Sequence, residues 1–90
     1  MDEEASVVTD DGQTVHVGVV IDGGDQGCGG GLLSLMVQAL KRLSSGEVME
    51  VRSTDAGVRE DLPAWCRLTD HTLVAAQRGA QGNRYFVRKA

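Results

Sequence analysis

Val15, Val17, Val19 and Ile21 alternate with His16, Gly18 and Val20, a period of two that predicts a strand closing at Asp22. The run Val19-Val20-Ile21 predicts that the end of this strand is buried on both faces. Six of the twelve glycines then fall within residues 23–31, a density that no regular element survives, so a loop is expected. From Leu32 the period becomes helical. Leu32, Met36, Ala39, Leu40 and Leu43 form an apolar stripe, and Ser34, Gln38, Lys41, Arg42 and Ser45 form a polar one. Lys41 and Arg42 suit the negative end of the helix dipole, and Gly46 is the expected left-handed C-cap. Glu47 to Ser53 predicts a second strand, with Met49 and Val51 on one face and Glu50 and Arg52 on the other. Strand, helix and strand with short links imply a parallel crossover. Asp55 is the expected N-cap of a second helix that turns Val58, Leu62 and Trp65 inward, and Pro63 should kink or split it. Thr72 to Gln77 and Arg84 to Arg88 predict a hairpin through Gly79–Gly82. The resulting fold class is α+β: a β-α-β-α-β-β two-layer sandwich with a four-stranded mixed sheet, two helices on one face, and the other face partly open.

Ninety residues make one small domain. With only Trp65, Tyr85 and Phe86 as aromatics, its core must be aliphatic. The formal net charge of −4 is unevenly placed. Asp2, Glu3, Glu4, Asp10 and Asp11 supply five of the 13 acids, leaving 8 against 9 bases in the rest. Residues 1–14 are therefore expected to be an acidic, disordered tail and residues 15–90 a near-neutral domain. An acidic chain argues against direct nucleic-acid binding. The sequence holds no run of 18 apolar residues, so no membrane span is expected, and its acidic start is unlike a signal peptide. Two cysteines 38 residues apart are too sparse for a disulfide scaffold and fit free thiols in the cytoplasm.

Cys28 is the position that carries chemistry. It lies between a buried strand and an amphipathic helix, in a loop almost stripped of side chains. The unpaired amides and partial positive charge of a helix start stabilise thiolate over thiol. No Lys, Arg or His occurs from Ile21 to Gln38, so no local general base is supplied, which favours thiol exchange over a protease-like triad. The loop contains neither a P-loop nor a G-x-G-x-x-G pattern, and His16 and His71 are isolated, so neither cofactor nor metal is expected. Cys66, beside Trp65, is expected to be structural. Arg84, Arg88 and Lys89 on the last strand form a basic face that either stays solvated or docks an acidic partner.

The chain resembles the small TusA/SirA-like sulfur-carrier proteins over about residues 17–89. The resemblance rests on Asp22 six residues before Cys28, the helix running to Gly46-Glu47, the segment Asp55-Ala-Gly-Val-Arg-Glu-Asp-Leu-Pro-Ala-Trp-Cys66, and the close on Arg84-Tyr-Phe-Val-Arg-Lys89. It implies a sulfurtransferase role in which Cys28 accepts a persulfide from a cysteine desulfurase or rhodanese-like donor and passes it to an acceptor protein. Such relays serve tRNA thiolation, molybdenum cofactor synthesis or sulfur oxidation. Where the family motif is Cys-Pro-x-Pro, this chain has Cys28-Gly29-Gly30-Gly31, and Asp25 stands where the family has glycine. Glycine at a helix start gives up the fixed φ that proline provides, and a carboxylate near Cys28 opposes thiolate formation. Asp25, Gly29, Gly30 and Gly31 are thus the expected modulators of Cys28. The alternative function is a non-catalytic interaction module that kept the fold and lost sulfur transfer.

Overall fold

A computed structural model describes residues 5–8, 12, 14–25, 31–79 and 82–90. The elements are β1 (Ala5–Val8), β2 (Thr14–Asp22), α1 (Leu32–Lys41), β3 (Val48–Ser53), α2 (Val58–Thr69), β4 (Thr72–Gly79) and β5 (Gly82–Arg88). They form one mixed sheet in the order β1-β2-β3-β5-β4. β2 and β3 are parallel, as the crossover requires, and the other three pairings are antiparallel.

The expected four-stranded sheet is corrected to five strands. The extra strand, β1, lies inside the stretch expected to be tail, and it pairs Ala5 with Val17 and Val8 with Thr14. Ala-Ser-Val-Val is too short to show a period of its own. It becomes a strand because the edge of β2 offers free backbone groups and because Val7 packs onto a buried cluster.

Strand alternation divides the core. Met49, Val51, Tyr85 and Val87 meet Leu32, Met36 and Leu40 of α1 and Val58, Leu62 and Cys66 of α2 in one cluster. Their strand neighbours Val48 and Phe86 join Val15 and Val17 in a second cluster that contains no helical residue. The face expected to be partly open thus holds buried apolar side chains, Phe86 fully so.

Five local expectations change. Val20 is exposed, so the end of β2 is buried on one face only. The N-cap of α2 is Gly57 rather than Asp55, whose carbonyl accepts from Val58 N–H. α1 ends at Lys41, with Arg42 as a right-handed C-cap. Gly46 takes the left-handed conformation further on, and its N–H donates to the Lys89 carbonyl at 2.8 Å. The turn between them tightens because the Leu43 N–H reaches back only three residues, to Leu40, and this keeps Leu43 buried. α2 runs unbroken through Pro63. Proline removes one donor, to the carbonyl four residues back, while Val58, Leu62 and Cys66 still anchor the same inner face. The third inward residue is therefore Cys66; Trp65 is half-buried and packs at the rim, its ring 5.8 Å from that of His71.

Candidate functional site

The carboxyl ends of the parallel strands β2 and β3 meet the turn end of the β4–β5 hairpin. Open parallel sheets place their binding crevices outside such strand ends. Here an open cleft of about 550 Å³ is bounded by Asp22, Arg52, Thr54, Asn83 and Arg84 among others. The backbone comes close at Gly82, which sits at φ +119° and whose absent Cβ would fall 3.0 Å from the Ser53 carbonyl oxygen.

The loop that carries Cys28 leaves from this cleft, and both of its ends are held. Gly23 N–H donates to the Arg52 carbonyl at 2.8 Å, and Thr54 N–H donates to the Gly24 carbonyl at 2.7 Å. The Asp22 carboxylate accepts from Gly24 N–H at 3.0 Å. A side chain at Gly23 would come 2.8 Å from Leu32 Cδ1, so loop start and helix start pack directly on each other. At the far end Gly31 is the left-handed N-cap of α1. Its carbonyl accepts from Leu35 N–H at 3.2 Å. Among the described residues the cap carries no side-chain hydrogen bond, and the first turn holds no acid against the positive end of the helix dipole. Cys28, Gly29 and Gly30 lie outside the described residues. Of the expected modulators, Asp25 and Gly31 are described, and both are exposed.

Glu50, expected on a polar face with Arg52, is instead 1% exposed. Its Oε2 accepts from Arg52 Nε at 2.6 Å and from Arg84 Nε at 3.0 Å, and its Oε1 accepts from Arg84 Nη2 at 3.3 Å. Burial pushes the carboxyl up, but the hydrogen bonds and charges of Arg84 and Arg52 outweigh it and hold Glu50 below its ordinary value. Arg84 also lies over the Phe86 ring, 5.4 Å from its centre. Only the pattern Val48-Met-Glu-Val51, an acid embedded in apolar residues, could have signalled this burial.

The three residues expected to dock a partner divide. Arg84 is tied to Glu50. Lys89 Nζ donates to the Leu43 carbonyl at 2.7 Å, just beyond the end of α1. Arg88 is exposed at the end of β5, an interior strand, where it pairs with Val48 of β3 on one side and Thr72 of β4 on the other.

Cys66 is buried among the helices, and burial pushes its thiol up to about 11. At pH 8 only about one thiol in a thousand at such a site is thiolate, the reactive form. In Cys28→Ser protein, iodoacetamide should therefore label Cys66 only after denaturation. Rapid labelling of the native variant would show that this part of the core opens.

Taken together, the chain is a small α+β domain that holds both flanks, Gly23–Gly24 and Gly31, of the segment containing Cys28. The family model described as Sulfurtransferase TusA matches residues 33–89, from the first turn of α1 to the end of the sheet and short of Cys28. A protein of Archaeoglobus fulgidus carrying the name "Putative sulfur carrier protein" is 35% identical over 71 residues, which are 79% of this chain and 96% of that one. A Bacillus subtilis protein, "Putative sulfur carrier protein YrkF", is 38% identical over 50 residues, which are 56% of this chain and 27% of the longer relative. The chain belongs to the TusA family of sulfur-carrier proteins. Among the described residues no helix is long and apolar enough to cross a membrane.

Proposed function

We propose that this protein is a sulfur-relay carrier and that Cys28 is the atom-carrying site. A sulfur carrier needs an available thiol, and the chain has two. One of them, Cys66, is locked in the core and held protonated, and this observation supports Cys28 as the carrier. The Cys28 thiolate attacks the terminal sulfur of a donor persulfide, R–S–SH. The donor S–S bond breaks, R–S⁻ leaves, and Cys28 becomes the persulfide. The acceptor repeats the exchange in turn, so no external oxidant or reductant is consumed. The anchored loop ends and the uncapped start of α1 support thiolate formation at this point of the chain.

This reading takes a cysteine desulfurase or rhodanese-like protein as donor and a downstream protein as acceptor. It places both helices on one sheet face as a two-layer sandwich, supported by their shared core cluster. It also places the protein in the cytoplasm, where free thiols persist. Incubation with a cysteine desulfurase and cysteine should add one sulfur atom to the protein. That gain should map to Cys28, survive Cys66→Ala and vanish in Cys28→Ser. A gain that persists in Cys28→Ser would refute the assignment. The replacement of both motif prolines by Gly29 and Gly31 favours a second reading, an interaction module without transfer. In that case no sulfur is gained and Cys28→Ser leaves partner binding unchanged.

A further inference from the structure

Arg52 and Arg84 stand directly opposite each other on the antiparallel strands β3 and β5. Like charges in that position destabilise a sheet. One guanidinium would suffice to neutralise Glu50, yet both Nε atoms converge on the same carboxylate oxygen. Asp22 is the register partner of Arg52 on β2 and attracts it through space, without an ion-pair contact among the described residues. The row across the sheet therefore reads Asp22, Arg52, Arg84, Gln77, and with Glu50 bound to both arginines the cluster sets two positive charges against two negative.

The buried carboxylate fixes how the two guanidiniums are presented. Arg52 spends only its Nε on Glu50, its side chain is 52% exposed, and it lines the cleft. Arg84 spends Nε and Nη2 and retains Nη1. Other polar groups of the wall are already used: Thr54 Oγ1 donates to the Gly24 carbonyl, and Asn83 Nδ2 donates to the Tyr85 hydroxyl. The charged donors of the cleft wall are the guanidinium N–H groups of Arg52 and Arg84, whose planar fork matches a carboxylate.

We propose that this cleft seats a side-chain carboxylate of a partner protein between Arg52 and Arg84. The proposal extends the carrier reading by naming the chemistry of a partner's docking contact. The cleft is wide and open, whereas small-molecule sites enclose most of their ligand. Its glycine-lined rim at Gly24, Gly79 and Gly82 lets another chain approach the backbone. A protruding acidic side chain of another chain meets both conditions. The position also suits the carrier role, because Gly24 belongs both to the cleft wall and to the anchor of the Cys28 loop.

The test uses the full chain and a blocked Gly-Glu-Glu-Gly peptide as probe, followed by the amide signals of Thr54 and Asn83 and the Nε–H signals of both arginines. Saturable shifts that weaken with added salt are expected. Arg52→Gln and Arg84→Gln should each weaken binding about tenfold, the cost of one charge-assisted contact. Cys28→Ser should bind the peptide normally, so a failure of sulfur uptake and a failure of docking are read separately. The matching Gly-Gln-Gln-Gly peptide and inorganic phosphate at equal ionic strength should produce no saturable shift. Equal binding of either one, or no saturable response to the glutamate peptide, would overturn the proposal. These arms use the unsubstituted protein and decide the matter even if an arginine variant does not fold.

Discussion

Glu50→Ala should destabilise the protein by about 2–3 kcal/mol, below the 3–5 kcal/mol seen for fully buried pairs because both arginines are partly solvated. For a domain of this size that is a fall in Tm of roughly 10–20 °C. The cause is the loss of three charge-assisted hydrogen bonds and the exposure of two opposed guanidiniums to each other. Glu50→Gln preserves the shape and should cost nearly as much, which separates charge from packing. The pH dependence has a definite sign. The folded carboxyl sits below its unfolded value, so its contribution is fully present above about pH 4.5, the ordinary value. It is lost as pH falls through the folded pKa. In Glu50→Gln protein that part of the acid destabilisation should disappear. Chemical denaturation between pH 3 and 7 measures both effects, and a loss under 1 kcal/mol at pH 7 would show that the cluster is not stabilising.

Leu32→Ala should cost about 3 kcal/mol, in the range for a fully buried leucine. The effect reaches beyond global stability. Leu32 opens α1 and is also the surface on which Gly23 rests, so its removal loosens the loop at both ends. Amide exchange at Gly23 and Thr54 should quicken more than exchange in β3. Sulfur uptake should fall beyond what the lower folded fraction explains. Uniform quickening across the sheet would mean that Leu32 contributes packing only and does not buttress the loop.

These two residues also mark the boundary between what can be seen in a sequence and what cannot. Leu32 was legible: it begins a helical stripe directly after a glycine run, and local period suffices to place it inside. Glu50 was not. Its position in an alternating strand predicts a face, but whether that face meets water depends on residues 34 positions away. Arg84 reaches it only through antiparallel pairing. β1 was missed for the same reason, because four residues become a strand only when the edge of β2 is beside them. Cys66 lies in the core on the inner face of its helix, where helical spacing points to Trp65 instead. Cys28 was singled out by its sequence neighbours alone.

The sulfur-carrier resemblance rests on motifs spread from Asp22 to Lys89, whereas local pattern by itself determined the two helices and the strands from β2 onward. Each depends on residues within one or two turns of one another, so period and composition report it directly. Tertiary structure alone decided the fifth strand, the second apolar cluster, the burial of Glu50, and the arginine pair that faces the cleft. Each is a contact between separate strands: β3 with β5, where Glu50 and Arg84 lie 34 positions apart, and β2 with β1. Its free energy comes from pairing and water exclusion between elements, which the pattern of either one alone does not report.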